Sequence, residues 1–224
     1  MNSLNTFLEH APFSPSQPSW LRYDEQTIIS AYKNKHRAEL GTELHEWASV
    51  QINLGNKVSS NKEVEKGLKT HIWEKYQCIS FNNDAAAYGQ MLLKNVGYLP
   101  SEVFPTVKLF VNDSIGYRMG SEVKLTYSDY IFGTADAIRH SDNILRIFDL
   151  KTGSSPAKIE QLYIYAALYC LENKIEPNTI DIETRIYQGD AVIIENPNPD
   201  DVESIMDHIV RVDDVLSRLE RGKR

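Results

Sequence analysis

A chain of 224 residues that is 42% hydrophobic and 25% charged buries roughly 70% of its unfolded surface without a covalent staple, and its composition excludes a disordered, collagen-like or low-complexity protein. The two cysteines, Cys78 and Cys170, form no C-x-x-C pair, which excludes a zinc ribbon or a four-cysteine iron–sulfur site within the chain and argues against a secreted disulfide scaffold. The formal charge of −7, from 24 Lys+Arg against 31 Asp+Glu, argues against coating nucleic acid through bulk charge, though not against gripping a few phosphates locally.

No stretch approaches the ~18 apolar residues that span a bilayer. Residues 1–20 lack a basic segment followed by an apolar one, so the expectation is a cytoplasmic protein with no membrane partner. Pro12, Pro15 and Pro18 punctuate a Ser-rich arm that ends in Trp20 and Leu21, predicted to dock on the body. From Asp24 the pattern turns helical: Leu40, Leu44, Ala48 and Ile52 recur every fourth residue, and Gly55 follows as a stop. Ser59, Ser60 and Asn61 open a second helix to about residue 78, with Val64, Leu68, Ile72 and Trp73 on its apolar stripe. Asp84 caps a third helix running to Leu93. Pro100 and Pro105 then break the helical pattern.

From about residue 106 the alternation of Val107, Leu109 and Val111 predicts a strand, with a turn at 112–116. Residues 117–127, 131–139 and 144–150 read as further strands, the last two joined by His140-Ser141-Asp142-Asn143. A helix is predicted over 156–172 with proline in its first turn, then a strand over 180–187. Asn196 to Asp200 is a loop before a last helix carrying Val202, Ile205, Met206, Ile209, Leu216 and Leu219. Arg218, Arg221, Lys223 and Arg224 form a basic tail, as suits a helix C-terminus. The order predicts a single α/β domain with a helical N-terminal part.

The informative segment runs from Gly133-Thr134-Ala135-Asp136 to Asp149-Leu150-Lys151-Thr152-Gly153. Alternate side chains of a strand share a face, so Asp149 and Lys151 project side by side. If the two strands pair, Asp136 reaches the same pocket. Two carboxylates bind divalent cations through oxygen, and a neighbouring lysine positions a water or stabilises charge on a phosphate. A lone Asp-x-Lys on a strand is ordinarily a solvated ion pair. Here Asp149 ends an apolar run, where an unpaired charge is costly.

These residues resemble the PD-(D/E)XK nuclease superfamily in its RecB-like, phage-exonuclease-like branch. The likeness covers roughly residues 38–190. Gly41-Thr42-Glu43-Leu44-His45 is similar to the helical G-x-x-x-H motif, Gly133 to Asp136 to the G-x-x-D strand, Asp149 to Lys151 to the hallmark (D/E)-x-K strand, and Gln161 to Tyr165 to the Q-x-x-x-Y helix. The resemblance implies a restriction-endonuclease-like core, a central mixed β-sheet with the meander in its middle and helices on both faces. It divides the chain into an arm (1–20), a helical part (24–98), a catalytic core (106–190) and a C-terminal helix (200–224).

It further implies Mg²⁺ or Mn²⁺ on His45, Asp136, Asp149 and the Leu150 carbonyl, with Glu122 as an additional acid. Asp136, Asp149 and Lys151 would be catalytic, and Gln161 and Tyr165 would face the DNA. The implied activity is metal-dependent DNA hydrolysis, as an exonuclease in phage-type recombination or DNA processing, with a recombination or annealing protein as a conceivable partner. Two alternatives stand beside it: a catalytically silent DNA- or protein-binding module on the same fold, and a metal site that acts on something other than nucleic acid.

Overall fold

The computed structural model describes residues 13–16, 18–78 and 83–222. Most of the expected N-terminal arm, and Lys223 and Arg224 of the basic tail, lie outside them. The chain divides into two compact units, Met1–Ala48 with Val58–Lys108 and Ser49–Lys57 with Leu109–Arg224. No helix among the described residues is long and apolar enough to cross a membrane.

The first unit is helical. Helix α1 spans Glu25–Leu54, α2 Asn61–Trp73 and α3 Asn83–Asn95. Leu40, Leu44 and Ala48 of α1 are fully buried, as are Val64, Leu68 and Ile72 of α2. A Cβ on Gly67 would meet the Trp47 indole at 2.5 Å, so α1 and α2 meet closely only because position 67 has no side chain. The Ser60 hydroxyl accepts from the Glu63 amide, and the Glu63 carboxylate accepts from the Ser59 amide, a reciprocal cap that starts α2. The helix ends in a π turn, Glu74–Cys78. Two expectations fail at this end of the molecule. Trp73 is half-exposed and Leu21 is 70% exposed, so neither joins the core; the Trp20 indole instead donates to the Ser14 carbonyl within the arm.

A further correction concerns residues 106–116. They form no strand and no turn but most of helix α4, Val103–Gly116. Val103, Thr106, Val107, Phe110, Val111 and Ser114 are buried, a stripe of helical period. Pro105 lies in the first turn, where backbone N–H groups have no intrahelical partner to lose.

The second unit is built on a five-stranded sheet, ordered β1 (Gly120–Thr126), β2 (Phe132–Ser141), β3 (Ile144–Lys151), β4 (Asp181–Gln188), β5 (Ala191–Glu195). Neighbours are antiparallel except β3 and β4. The α/β core with its mixed sheet is as expected, but the meander β1–β2–β3 fills one side of the sheet rather than its middle, and β3 is the central strand. Asp142 and Asn143, both with positive φ, make the two-residue turn between β2 and β3. Strand β5 was not anticipated; it returns through Gly189-Asp190, with Gly189 at φ +55°.

Helix α5 (Glu160–Asn173) is the crossover that two parallel strands require. It packs Leu162, Ala166, Ala167 and Cys170 against Leu145, Ile147, Ile182 and Ile186. It starts four residues later than its pattern predicts, leaving Pro156 in the preceding loop. Helix α6 (Pro199–Arg221) packs on α5 through Val202 and Ile209. On the sheet's other face Phe110 of α4 meets Tyr187, and Tyr117 meets Phe148. Arg146 and Arg185 both stack on the Tyr117 ring.

Candidate active site

The β2–β3 ladder stops at Ala137↔Phe148, and beyond it the strands part. Continued register would pair Leu150 with Ala135. Instead the Leu150 amide donates to the Asp136 carboxylate at 2.8 Å. A strand residue directs its N–H and C=O to the same edge, so the Leu150 carbonyl faces the gap that β2 leaves. One carboxylate thus caps the main chain between Asp149 and Lys151.

Asp149 is buried, 3% exposed. The Lys151 ammonium lies 2.9 Å from one of its oxygens and 3.1 Å from the other. Such a pairing is what makes a buried carboxylate tolerable. Lys151 also donates to the Gln161 side-chain carbonyl at 3.0 Å, and the Gln161 amide donates to the Tyr165 hydroxyl at 3.1 Å. Asp149, Lys151, Gln161 and Tyr165 therefore form one hydrogen-bonded row from β3 to α5. The i, i+4 spacing that puts Gln161 and Tyr165 on one face of α5 also aims that face at the lysine.

Gly133 explains how the row is seated. A Cβ there would lie 2.8 Å from Cε1 of the Tyr165 ring. The ring occupies the space a side chain would need, so the glycine of one motif and the tyrosine of another fit each other.

Glu122 joins from β1. The register on either side of it, Ser121↔Ala137 and Val123↔Ala135, sets it opposite Asp136. Its φ is +51°, a left-handed conformation that costs a non-glycine residue about 1–3 kcal/mol. The ladder is interrupted at that position, and carboxylate oxygens of Glu122 and Asp136 lie within 4.8 Å of each other. Strain of this kind persists where the surroundings over-determine it, often at functional sites.

The donor set suits a hard divalent cation. Glu122 and Asp136, whose carboxylate oxygens approach each other, and the Leu150 carbonyl offer oxygen only, which is what Mg²⁺ and Mn²⁺ take; Asp149 keeps both of its oxygens on Lys151. His45 lies half-buried on α1 in the first unit; its place among metal ligands rests on the resemblance. Cys170 is no ready nucleophile: it is fully buried among α5 and sheet residues, and burial pushes its thiol up to about 11.

Sequence reasoning missed Gln188. It is the register partner of Lys151 in the parallel ladder. Its amide donates to the carbonyls of Gly153 and Ser155, and its side-chain oxygen accepts from the Ala157 amide. These three bonds fix the loop between Lys151 and α5, and so fix where Gln161 starts. The signal was long-range pairing, which one sequence does not display.

No curated protein and no solved structure matches the chain. One family model does, over residues 16–189, which takes in α1 through β4 and every residue of the row. The chain belongs to the family described as protein of unknown function DUF2800.

Proposed function

We propose that this protein is a metal-dependent DNA nuclease that hydrolyses phosphodiester bonds, acting as an exonuclease. The observation that carries the reading is the parting of β2 from β3, with Asp136 on the Leu150 amide and Asp149 paired to Lys151 beside it. The motif resemblance supports it independently, because its four motifs fall in the expected order along the chain.

In this reading Glu122, Asp136, Asp149 and the Leu150 carbonyl hold the cation, and the motif resemblance adds His45 as a ligand. A bound Mg²⁺ or Mn²⁺ supplies Lewis acidity toward a phosphate oxygen and makes a bound water more acidic. Lys151 orients the attacking water and stabilises charge that develops on the phosphate. Gln161 holds the lysine at the end of its flexible stem, which limits the freedom lost when substrate arrives. Tyr165, seated on Gly133, holds Gln161.

The test is digestion of end-labelled linear DNA and of covalently closed circular DNA, in Mg²⁺, Mn²⁺ or EDTA. The expected result is metal-dependent loss of the linear DNA alone. Cleavage of the circle as well would replace the exonuclease with an endonuclease. No cleavage of either, in any metal, would overturn the nuclease reading and favour a binding module.

A further inference from the structure

The ribbon formed by β1 and β2 has two unlike faces. Leu125 and Ala135 are buried, and with Val123 they pack in the core beneath α5. The opposite face carries Glu122, Lys124, Phe132, Thr134 and Asp136. Lys124 pairs with Thr134 and Thr126 with Phe132 in the ladder, so this face is regular from the interruption at the acid pair to Phe132. Phe132 is 57% exposed, far more than a large aromatic ring on a strand needs to be. The Lys124 ammonium lies 4.7 Å from its ring centroid. An exposed ring with a cation above it is the pairing that proteins use to hold an unpaired base and its phosphate.

We infer that the outer face of the β1–β2 ribbon is a single-strand track: an unpaired base of the substrate stacks on Phe132, and Lys124 takes an adjoining phosphate. The inference rests on the nuclease reading and names its substrate form, a nucleic-acid end or tail that is unpaired where it meets the enzyme. Distance along the ribbon agrees. Asp136 to Phe132 is four strand residues, about 13 Å, or about four stacked nucleotides of one strand. Stacking on a protein ring needs a base face that no neighbour covers, and the interior of a duplex offers none. With a chain charge of −7, a local cation and a ring are also the economical way to hold such a strand, since bulk attraction is lacking.

The experiment measures fluorescence anisotropy of a short labelled oligothymidylate and of a blunt duplex of equal length. Wild type, Phe132→Ala and Lys124→Ala are compared in Ca²⁺ as full chains, with matched melting temperatures as the folding control. The wild type is expected to bind the single strand more tightly than the duplex. Phe132→Ala should weaken single-strand binding about tenfold or more. Lys124→Ala should weaken it too and lower the salt slope by about 0.7. Variants that bind like wild type, or a wild type with no preference for the single strand, overturn the track. The nuclease reading fails separately, on the wild type's own lack of cleavage in Mg²⁺ and Mn²⁺.

Discussion

Each unit holds a buried carboxylate beside a lysine, and the two are put to different use. In the first unit Glu43 of α1 is 3% exposed. It accepts from Lys75 through both oxygens at 3.2 Å and from the Tyr76 hydroxyl at 2.7 Å, and His71 Nε2 lies 3.3 Å away. Lys75 closes the group by pairing with Glu46 as well. Burial alone would raise the Glu43 pKa; hydrogen bonds from His71, Tyr76 and Lys75 outweigh it and hold the group below its ordinary value. In the second unit Asp149 is equally buried, but its lysine is shared with Gln161, and Asp136 and Glu122 bring further carboxylates to a place where strands part. A carboxylate surrounded by donors fastens helices together. Carboxylates gathered where a sheet opens are the place at which the proposed metal ion would bind.

The contrast breaks most sharply on the lysines. Lys151→Ala should lower cleavage of linear DNA per folded molecule about 100-fold or more, at some cost in stability because Asp149 loses its partner; a turnover assay corrected for the folded fraction by circular dichroism checks it. Residual cleavage near wild type would make the Asp149 site as structural as the Glu43 site. Glu43→Ala is the converse. It leaves Tyr76 without its acceptor and Lys75 with Glu46 alone, and should cost about 2–4 kcal/mol in urea unfolding, while cleavage per folded molecule stays far closer to wild type than in Lys151→Ala.

The same group gives a pH dependence. A depressed carboxylate pKa contributes stability that is fully present above the unfolded value, about 4.3, and is lost as pH falls through the folded value. Lys75 works in the other direction. Burial lowers its pKa, but Glu46 and Glu43 outweigh that and raise it, so its contribution is lost only as pH rises through the raised value. Thermal melts across pH should therefore show an acid limb that Glu43→Gln flattens. At the second site Asp136→Asn keeps an acceptor for the Leu150 amide, so stability should hardly change while Mn²⁺ affinity falls about 10–100-fold. Titration calorimetry showing unchanged affinity would remove Asp136 from the ligand set.

The row in the second unit was more legible in sequence than the Glu43 group in the first, for physical reasons. Strand period is two, and the apolar run that ends in Asp149 stands between a polar turn and Thr152-Gly153, so β2 and β3 announce themselves. Helix α4 hid because Val107, Leu109 and Val111 satisfy period two while Val103, Val107, Phe110 and Ser114 satisfy the helical period; Pro105 tipped the choice wrongly. Strand β5 is five residues long and mostly exposed, so it carries no burial alternation. The row from Asp149 to Tyr165 was readable because all its members lie within a short stretch of chain. Glu43 and Lys75 are 32 residues apart, and no local pattern couples them. Nor does any residue pattern foretell the positive φ of Glu122.

The finest contrast is between packing and chemistry within the row itself. Gly133→Ala places a methyl where the Tyr165 ring stands, 2.8 Å from Cε1. The ring is the far end of a side chain and is the part that must give way, so the loss of stability should be modest, about 1–3 kcal/mol. Its hydroxyl, however, holds Gln161, and Gln161 holds Lys151. A shifted ring loosens a lysine it never touches, and cleavage should fall about tenfold. Adding Tyr165→Ala to Gly133→Ala separates the two effects. The double variant has no clash, so its melting temperature should rise relative to Gly133→Ala, yet Gln161 has lost its hydroxyl partner and cleavage should stay low. Recovery of both together would mean that Tyr165 is a packing residue only, and that Gln161 holds the lysine unaided.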